Sequence, residues 1–591
     1  MMMTTMNIKE ISRLRQADFN RYQELLIGNQ QRLLEKQKEE CIFISALTAD
    51  ELERMLKVAQ TLSPDDYPLL GVPFSVKDNI DVKGFNTTAG CPSYSYAPQA
   101  SAFAVQQLEA AGAICIGKTN MDQFATGLVG TRSPYGVARN AYNPAYIPGG
   151  SSSGSASSIT AGYASFSLGT DTAGSGRVPA AFQNLVGVKP TKGIVSNTGL
   201  VPACKSLDCI SVFASDMQDA STVLHIIGRY DRTDEYSREN RQVQMPESLR
   251  LAIPRKEDLK FFGNAAYEAA YTAFIQALKE QEYHVEEVDF SPFFDAAKLL
   301  YNGPWVAERF HAVGAFIEDH PADVFPVTRQ IILGGKHATA LVYFDAEYKL
   351  RKCKRVLEEY AQRFSAFIMP TAGTIYKIEE VNEEPVLLNS NLGYYTNFMN
   401  LLDCAAIALP VAITQGNLPF GITAFAPAFN DNNLLKLGED LRSKGLLNPS
   451  PLSSKNKYIN LAVCGAHKRE GSLNHQLTEI NAIYRETAFT TNEYRLFALE
   501  SLSPPRPGLI KDPLHGGKIE VEIWRVPAGN LGGFIDQIAA PLCFGKISLE
   551  NGEQVTSFLC EDHATKGAKD ITALQRWENF QGTDYHKNSI D

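Results

Sequence analysis

Between Ile147 and Ala180 the chain reads IPGGSSSGSASSITAGYASFSLGTDTAGSGRVPA, a run dense in serine and glycine. Such tracts usually serve as flexible linkers. This one cannot, because ITAGYASFSLGTD in its middle is too apolar and β-prone to stay solvated. The run belongs inside a folded domain. A phosphate-binding loop is a second possibility. Gly149 and Gly154 have the right glycine spacing, but Ser155-Ala156 stands where Lys-Ser/Thr is needed. Without that lysine no charge reaches the β- and γ-phosphates.

A reactive serine is the third possibility. A serine hydroxyl is a weak nucleophile that needs a base and donors for the developing oxyanion. GTDTAGSGR surrounds Ser175 with small residues, so successive backbone N–H groups can converge on one point. No G-x-S-x-G elbow fits Ser175, which sits in Ala-Gly-Ser-Gly-Arg, and none of the 10 histidines stands beside a serine as an obvious base. Lys77, in the mainly apolar LLGVPFSVKDNIDV, offers another base. Burial on a strand would push it toward the neutral amine. On spacing alone, an ordinary strand-end lysine pointing to water is the better reading.

A chain of 591 residues exceeds what one core comfortably serves, so two or more domains are expected. Residues 7–60 have apolar residues at helical spacing and read as an arm of two or three helices, suited to subunit contact or to covering the core. From LLGVPFSVKDNIDV to about residue 425, short apolar runs alternate with helical segments, as in an α/β layered domain. LLNPSPLSSKNK, within 446–457, reads as a linker. Beyond it, YINLAVCG, KIEVEIWRVP, LCFGKISL and QVTSFLC make 458–591 a separate, mostly β domain. A net charge of −10 argues against a broad nucleic-acid or anionic-membrane surface. The 10 cysteines are sparse, without paired metal-ligand spacing, and read as free thiols of a reducing compartment. With no signal-like N-terminus and no run near the roughly 18 apolar residues of a membrane span, the expectation is a soluble cytoplasmic protein without a metal or cofactor.

GVPFSVKDNIDVKG (71–84), GKTNMDQFATG (117–127), NPAYIPGGSSSGSA (143–156) and LGTDTAGSGRVPAAFQNLVGVKPTKG (168–193) together closely resemble the amidase signature family. The resemblance implies a mixed central β-sheet wrapped by helices over residues 1–445. It makes Ser175 the nucleophile, Ser151 the relay serine after a cis peptide at Gly150–Ser151, and Lys77 the base. Backbone N–H groups of Thr172, Ala173, Gly174 and Ser175 would form the oxyanion hole. Ser152, Ser153 and Ser155 are read as turn and loop serines satisfying local backbone groups.

Two departures, Ala-Gly-Ser-Gly-Arg (173–177) and Asp-Gln-Phe (122–124), look like the allophanate hydrolases within that family. So do LLYNGPWVAERF (299–310), YYTNFMNLLDCAAIALP (394–410) and the C-terminal VCGAHKREGSLNHQLTEINA and GGFIDQIAAPLCFGKISLENG. The implied reaction takes allophanate, urea bearing a carboxylate, to ammonia and carbon dioxide through an acyl-enzyme and N-carboxycarbamate. Arg309 would grip the carboxylate, with Tyr301 as second ligand and Gly127 as a close backbone approach. Tyr301, Trp305 and Arg309 have the spacing of one helix face, with Trp305 read as packing. The C-terminal domain resembles a γ-glutamyl-cyclotransferase-like barrel to which decarboxylation is attributed, with His475 as its candidate residue. A homodimer is implied, with allophanate supplied either by a separate urea carboxylase or by a biuret-type pathway. The alternative is another amidase-signature amidohydrolase, or one component of a glutaminyl-tRNA amidotransferase.

Overall fold

In the computed structural model, which describes residues 6–448 and 458–580 apart from 242, 247, 415, 470, 481, 501, 503 and 504, the apolar runs become strands of one large sheet. They are β1 (Phe43–Ala46), β2 (Pro73–Lys77), β3 (Ile114–Thr119), β4 (Phe166–Asp171), β5 (Val186–Lys189), β6 (Cys209–Ala214), β7 (Arg250–Pro254), β8 (His284–Val288), β9 (Ala366–Pro370), β10 (Cys404–Ile413) and β11 (Pro419–Pro427). Their order is β1-β3-β2-β4-β6-β5-β10-β11-β9-β7-β8. The sheet is mixed: β2 runs parallel to β3 and β4, whereas β4 pairs antiparallel with β6. Strands β2 to β6 are buried along their whole length, as a sheet flanked by helices on both sides requires. Lys77 thus ends a central, fully covered strand.

The N-terminal arm covers the core. Asn7 with Glu10 and Thr48 with Glu51 form capping boxes that start helices Ile8–Ala17 and Ala49–Gln60. Ile8, Ile11, Tyr22, Leu26, Leu52 and Leu56 pack into the main hydrophobic cluster. The Tyr22 hydroxyl donates to the Gly71 carbonyl at 2.6 Å. The arm also supplies edge strand β1, a contribution that helical spacing does not reveal.

The chain divides into two compact units, Met1–Leu452 and Ser453–Asp591. Residues 449–457 of the expected linker lie outside the described residues, while Asn448 still bonds to Pro410 and Asn184 of the first unit. In the second unit the strands are β12 (Tyr458–Val463), β13 (Ile483–Phe489), β14 (Tyr494–Leu499), β15 (Arg506–Lys511), β16 (Glu520–Pro527), β17 (Leu542–Ser548), β18 (Gln554–Cys560) and β19 (Lys569–Asp570). They form a five-stranded sheet, β13-β16-β12-β18-β17, and a three-stranded one, β15-β14-β19. Among the described residues no helix is long and apolar enough to cross a membrane.

If the arm is structural cover, truncating one of its buried side chains should cost as much as any core truncation. Leu56→Ala, at a site with 0% exposure, is expected to lower stability by about 2–5 kcal/mol. Denaturant unfolding measures it, and a loss below about 1 kcal/mol would place the arm outside the cooperative core.

Candidate active site

The serine-rich run folds as strand, turn and helix laid tightly on one another. Helix Ser153–Thr160 is buried from Ser153 to Ile159 and packs on β2 and β4. The serines at its start do not satisfy local turns, as expected for Ser152, Ser153 and Ser155, but reach across to the strands and the segment after β3. Ser152 donates to the Thr170 carbonyl (3.2 Å), Ser155 to that of Leu168 (3.0 Å) and Ser153 to that of Asn120 (3.4 Å). Ser75 on β2 links Ser158 and Ser167, each at 2.8 Å. The approach is too close for larger side chains: a Cβ on Gly154 would sit 2.3 Å from the Ile42 carbonyl. Buried hydroxyls are tolerated because each finds a partner.

Lys77 is fully buried, and its Nζ donates to Ser151 Oγ and Thr170 Oγ1, both at 2.7 Å. Among the described residues no carboxylate lies within ion-pairing distance of it. Burial pushes its pKa down to about 7, against the pull of the more distant Asp122, Asp208 and Asp171 and with a push from Arg309. Ser151 follows a cis Gly150–Ser151 peptide bond.

Ser175 stands in the turn between β4 and helix Val178–Phe182. Asp171 builds that turn by accepting from Gly174 N (2.9 Å), Gly176 N (3.0 Å), Arg177 Nε (2.9 Å) and Arg177 Nη2 (2.9 Å). Burial alone would raise the Asp171 carboxyl, but Arg177 and these donors hold it below its ordinary value. Gly174 is therefore a correction to the expected oxyanion hole: its N–H is committed to Asp171. Among the described residues, the N–H groups of Thr172, Ala173 and Ser175 donate to no protein acceptor. Gly174 is instead needed for its positive φ of 129° and for clearance, since a Cβ there would lie 2.3 Å from Thr396 Oγ1.

The two serines meet at one turn, Asp122–Gly127. Asp122 N donates to the Ser151 carbonyl at 3.1 Å, and the Ser175 hydroxyl donates to the Gly127 carbonyl at 3.5 Å. Asp122 folds this turn by accepting from the N–H groups of Gly130 and Arg132. A Cβ on Gly127 would come within 2.7 Å of its carboxylate. The same turn holds Arg309, which is 2% exposed and donates from Nη1 to Thr126 Oγ1 at 3.0 Å. The Tyr301 ring lies 5.5 Å from the Arg309 guanidinium carbon. Tyr301 and Arg309 are not on one helix, contrary to expectation. Gly303-Pro304 breaks the chain into helices Ser291–Asn302 and Trp305–Asp319, as the restricted residue before proline favours. Trp305 is buried in the hydrophobic cluster beside this corner.

The second unit places His475 in an exposed position in the short helix Asn474–Glu479, its Nδ1 3.1 Å from the carbonyl of Ser472 just before that helix. His467, which motif reading passed over, is the buried imidazole. It stacks on Phe558 with ring centroids 5.1 Å apart, and its Nε2 lies 2.9 Å from Gln476 Oε1. Burial pushes its pKa below the ordinary histidine value. Thr126, Thr170, Asp122, Asp171 and Asp208 were likewise invisible as site residues, because their roles arise from contacts between distant segments.

Residues 30–435 match the family model described as Amidase. The chain belongs to the amidase family. Residues 459–582 match the allophanate hydrolase C-terminal domain, so this amidase-signature amidohydrolase carries the appended domain of that group. The selenomethionine-substituted allophanate hydrolase of Kluyveromyces lactis is similar over 98% of this chain and 99% of its own, with 38% identity and a TM-score of 0.72. The urea amidolyase of Saccharomyces cerevisiae is 40% identical over 566 residues, 90% of this chain but 30% of its own length. The urea amidolyase of Lachancea kluyveri is 39% identical over 582 residues, 93% of this chain and 32% of its own. The chain thus spans about a third of these longer relatives.

A neutral Lys77 amine accepts a proton and a protonated one does not, which fixes the sign of the pH response. Amide hydrolysis under kcat/KM conditions should fall about tenfold per pH unit below about 7. A pH–rate profile checks this, and a flat profile down to pH 5 would remove Lys77 as the base.

Proposed function

We propose that this amidase hydrolyses allophanate. The observation that carries the reading is Arg309, a buried guanidinium with no carboxylate in ion-pairing distance among the described residues. It is fixed to Thr126, one residue from the Gly127 carbonyl that holds the Ser175 hydroxyl. A cation this close to the nucleophile suits a small amide whose own carboxylate lies a few atoms from the scissile carbon, and a guanidinium grips that carboxylate in its planar fork. Tyr301 closes one face of the guanidinium.

In this mechanism the neutral Lys77 amine draws the proton of Ser151, and Ser151 draws that of Ser175. Ser175 Oγ then bonds to the terminal carbamoyl carbon. The charge that develops on the carbonyl oxygen is met by the uncommitted N–H groups of Thr172, Ala173 and Ser175 itself. The proton returns through Ser151 to the departing nitrogen, and ammonia leaves. Water entering by the same relay hydrolyses the acyl-enzyme to N-carboxycarbamate. That dicarboxylate loses carbon dioxide, a step we assign to the C-terminal unit, in the neighbourhood of buried His467 rather than exposed His475. The reaction that supplies allophanate is the carboxylation of urea, in keeping with the name of the urea amidolyase relatives.

Two variants test the reading. Ser175→Ala should reduce ammonia release from allophanate by several orders of magnitude, and activity within tenfold of the parent would overturn the nucleophile assignment. Arg309→Gln should raise KM for allophanate at least 100-fold while changing kcat/KM for an uncharged amide such as malonamide less than tenfold. Equal losses on both substrates would mean that Arg309 supports the fold and does not read the carboxylate.

A further inference from the structure

Of the buried acids that the mechanism leaves unused, Asp208 is the one bonded to Thr172 of the oxyanion turn. Asp208 is 3% exposed, in the loop that leads into β6. One side of its carboxylate accepts from its own loop, from Ala203 N (2.8 Å) and Cys204 N (3.1 Å). The other side reaches out of the loop and accepts from Thr172 Oγ1 at 2.5 Å. Thr172 is the first residue after β4 and one of those whose N–H is free to meet an oxyanion. Asp208 is also one of the acids whose field reaches both cations of the site, Lys77 and Arg309.

We infer that Asp208 is a positioning residue for acylation: it anchors the Thr172 end of the oxyanion turn and supplies the negative charge that balances Lys77 against Arg309. This rests on the catalytic reading above. The Asp171–Arg177 pair cannot do the same work, because that carboxylate is saturated by four donors. Asp122 is committed to the Gly130 and Arg132 amides on the far side of the Gly127 turn. The groups that face Lys77 are then Asp122, Asp171, Asp208 and Arg309. Those that face Asp208 are Thr172, the Ala203 and Cys204 amides, the Cys204 and Cys209 thiols, Arg309 from helix Trp305–Asp319 and Lys77 from β2. Burial pushes the Asp208 carboxyl up to about 6, against these donors and Arg309, so it remains an anion where Lys77 is neutral.

The charge has a calculable sign at each cation. Removing an anion near Lys77 destabilises its ammonium, so the acid limb of the profile should move to lower pH. Removing it near Arg309 leaves the guanidinium more attractive to a carboxylate, so KM for allophanate should not rise. The loss should fall on kcat, because the oxyanion donor is no longer held. A carboxylate that merely folds its own loop would move none of these in that pattern: kcat would drop and KM rise together, with the limb in place.

The experiment measures kcat and KM against pH for Asp208→Asn and Thr172→Val in the full chain. Asp208→Asn is expected to shift the acid limb of kcat/KM down by about half a pH unit or more, cut kcat at least tenfold and leave KM at or below the parent value. Thr172→Val removes the anchored hydroxyl and keeps the charge, so it should cut kcat at least tenfold with the limb unmoved. An unmoved limb in Asp208→Asn, or a raised KM, overturns the charge-balancing role. Should Asp208→Asn not fold, Thr172→Val decides: kcat within threefold of the parent overturns the inference. Failure of the catalytic reading itself would look different, as turnover retained in Ser175→Ala.

Discussion

Everything in the site follows from keeping the Lys77 amine dry. An ammonium buried without a carboxylate beside it is so costly that the group gives up its proton near neutrality, and the residue becomes a base. The fold achieves this with a fully covered central strand, two hydroxyls at 2.7 Å as the amine's partners, and acids kept at a distance. Were one of those acids to close to contact, the lysine would form an ordinary ion pair and stay charged. The spacing between Lys77 and its surrounding acids therefore matters as much as their presence.

The contrast with Arg177 makes the point. Both side chains are fully buried, yet Arg177 donates twice to Asp171 and further to Thr396 O and Asn400. That pair is closed: its charges and hydrogen bonds are matched, and its product is a rigid turn that presents Ser175. Lys77 and Arg309 are open. Among the described residues Lys77 has only hydroxyl partners and Arg309 has no carboxylate at ion-pairing distance, which leaves the neutral amine able to take a proton and the guanidinium able to meet an anion. A buried ion pair adds little to stability on its own, so its value here lies in shape.

How much of this could be read from the chain divides along physical lines. The segments of β2 and β4 could be read as β because a sheet covered on both faces needs continuous apolar runs, whereas the other strands of that sheet were legible only as a general alternation of short apolar runs and helical segments. Lys77, Ser151 and Ser175 came together as a candidate site only through family motifs, since spacing alone favoured a solvated lysine. The single-helix reading of Tyr301 to Arg309 failed because helical periodicity survives a break at Gly303-Pro304. His475 stood out for its neighbours in sequence, but solvent exposure is a tertiary property, and the buried imidazole is His467 eight positions earlier. The commitment of the Gly174 amide to Asp171 was equally hidden, because which donors a tight turn leaves free depends on where one side chain folds back.

The apparent low complexity of residues 147–180 is then a consequence of crowding. A Cβ on Gly150 would stand 2.1 Å from the Asp122 carboxylate, and one on Gly176 would stand 2.6 Å from Ser211 Cβ. Helix, sheet and two turns approach so closely at these glycines that a side chain has no room. Serine at neighbouring positions adds a small hydroxyl that donates to a β4 carbonyl, from Ser152 to Thr170 and from Ser155 to Leu168. Packing at this density also fixes distances to the few tenths of an ångström that a proton relay demands. A sequence that looks like a linker is in this way a tightly constrained part of the molecule, in which Ser152, Ser153 and Ser155 tie the helix to its neighbours while Ser151 meets Lys77 and Ser175 meets the Gly127 carbonyl.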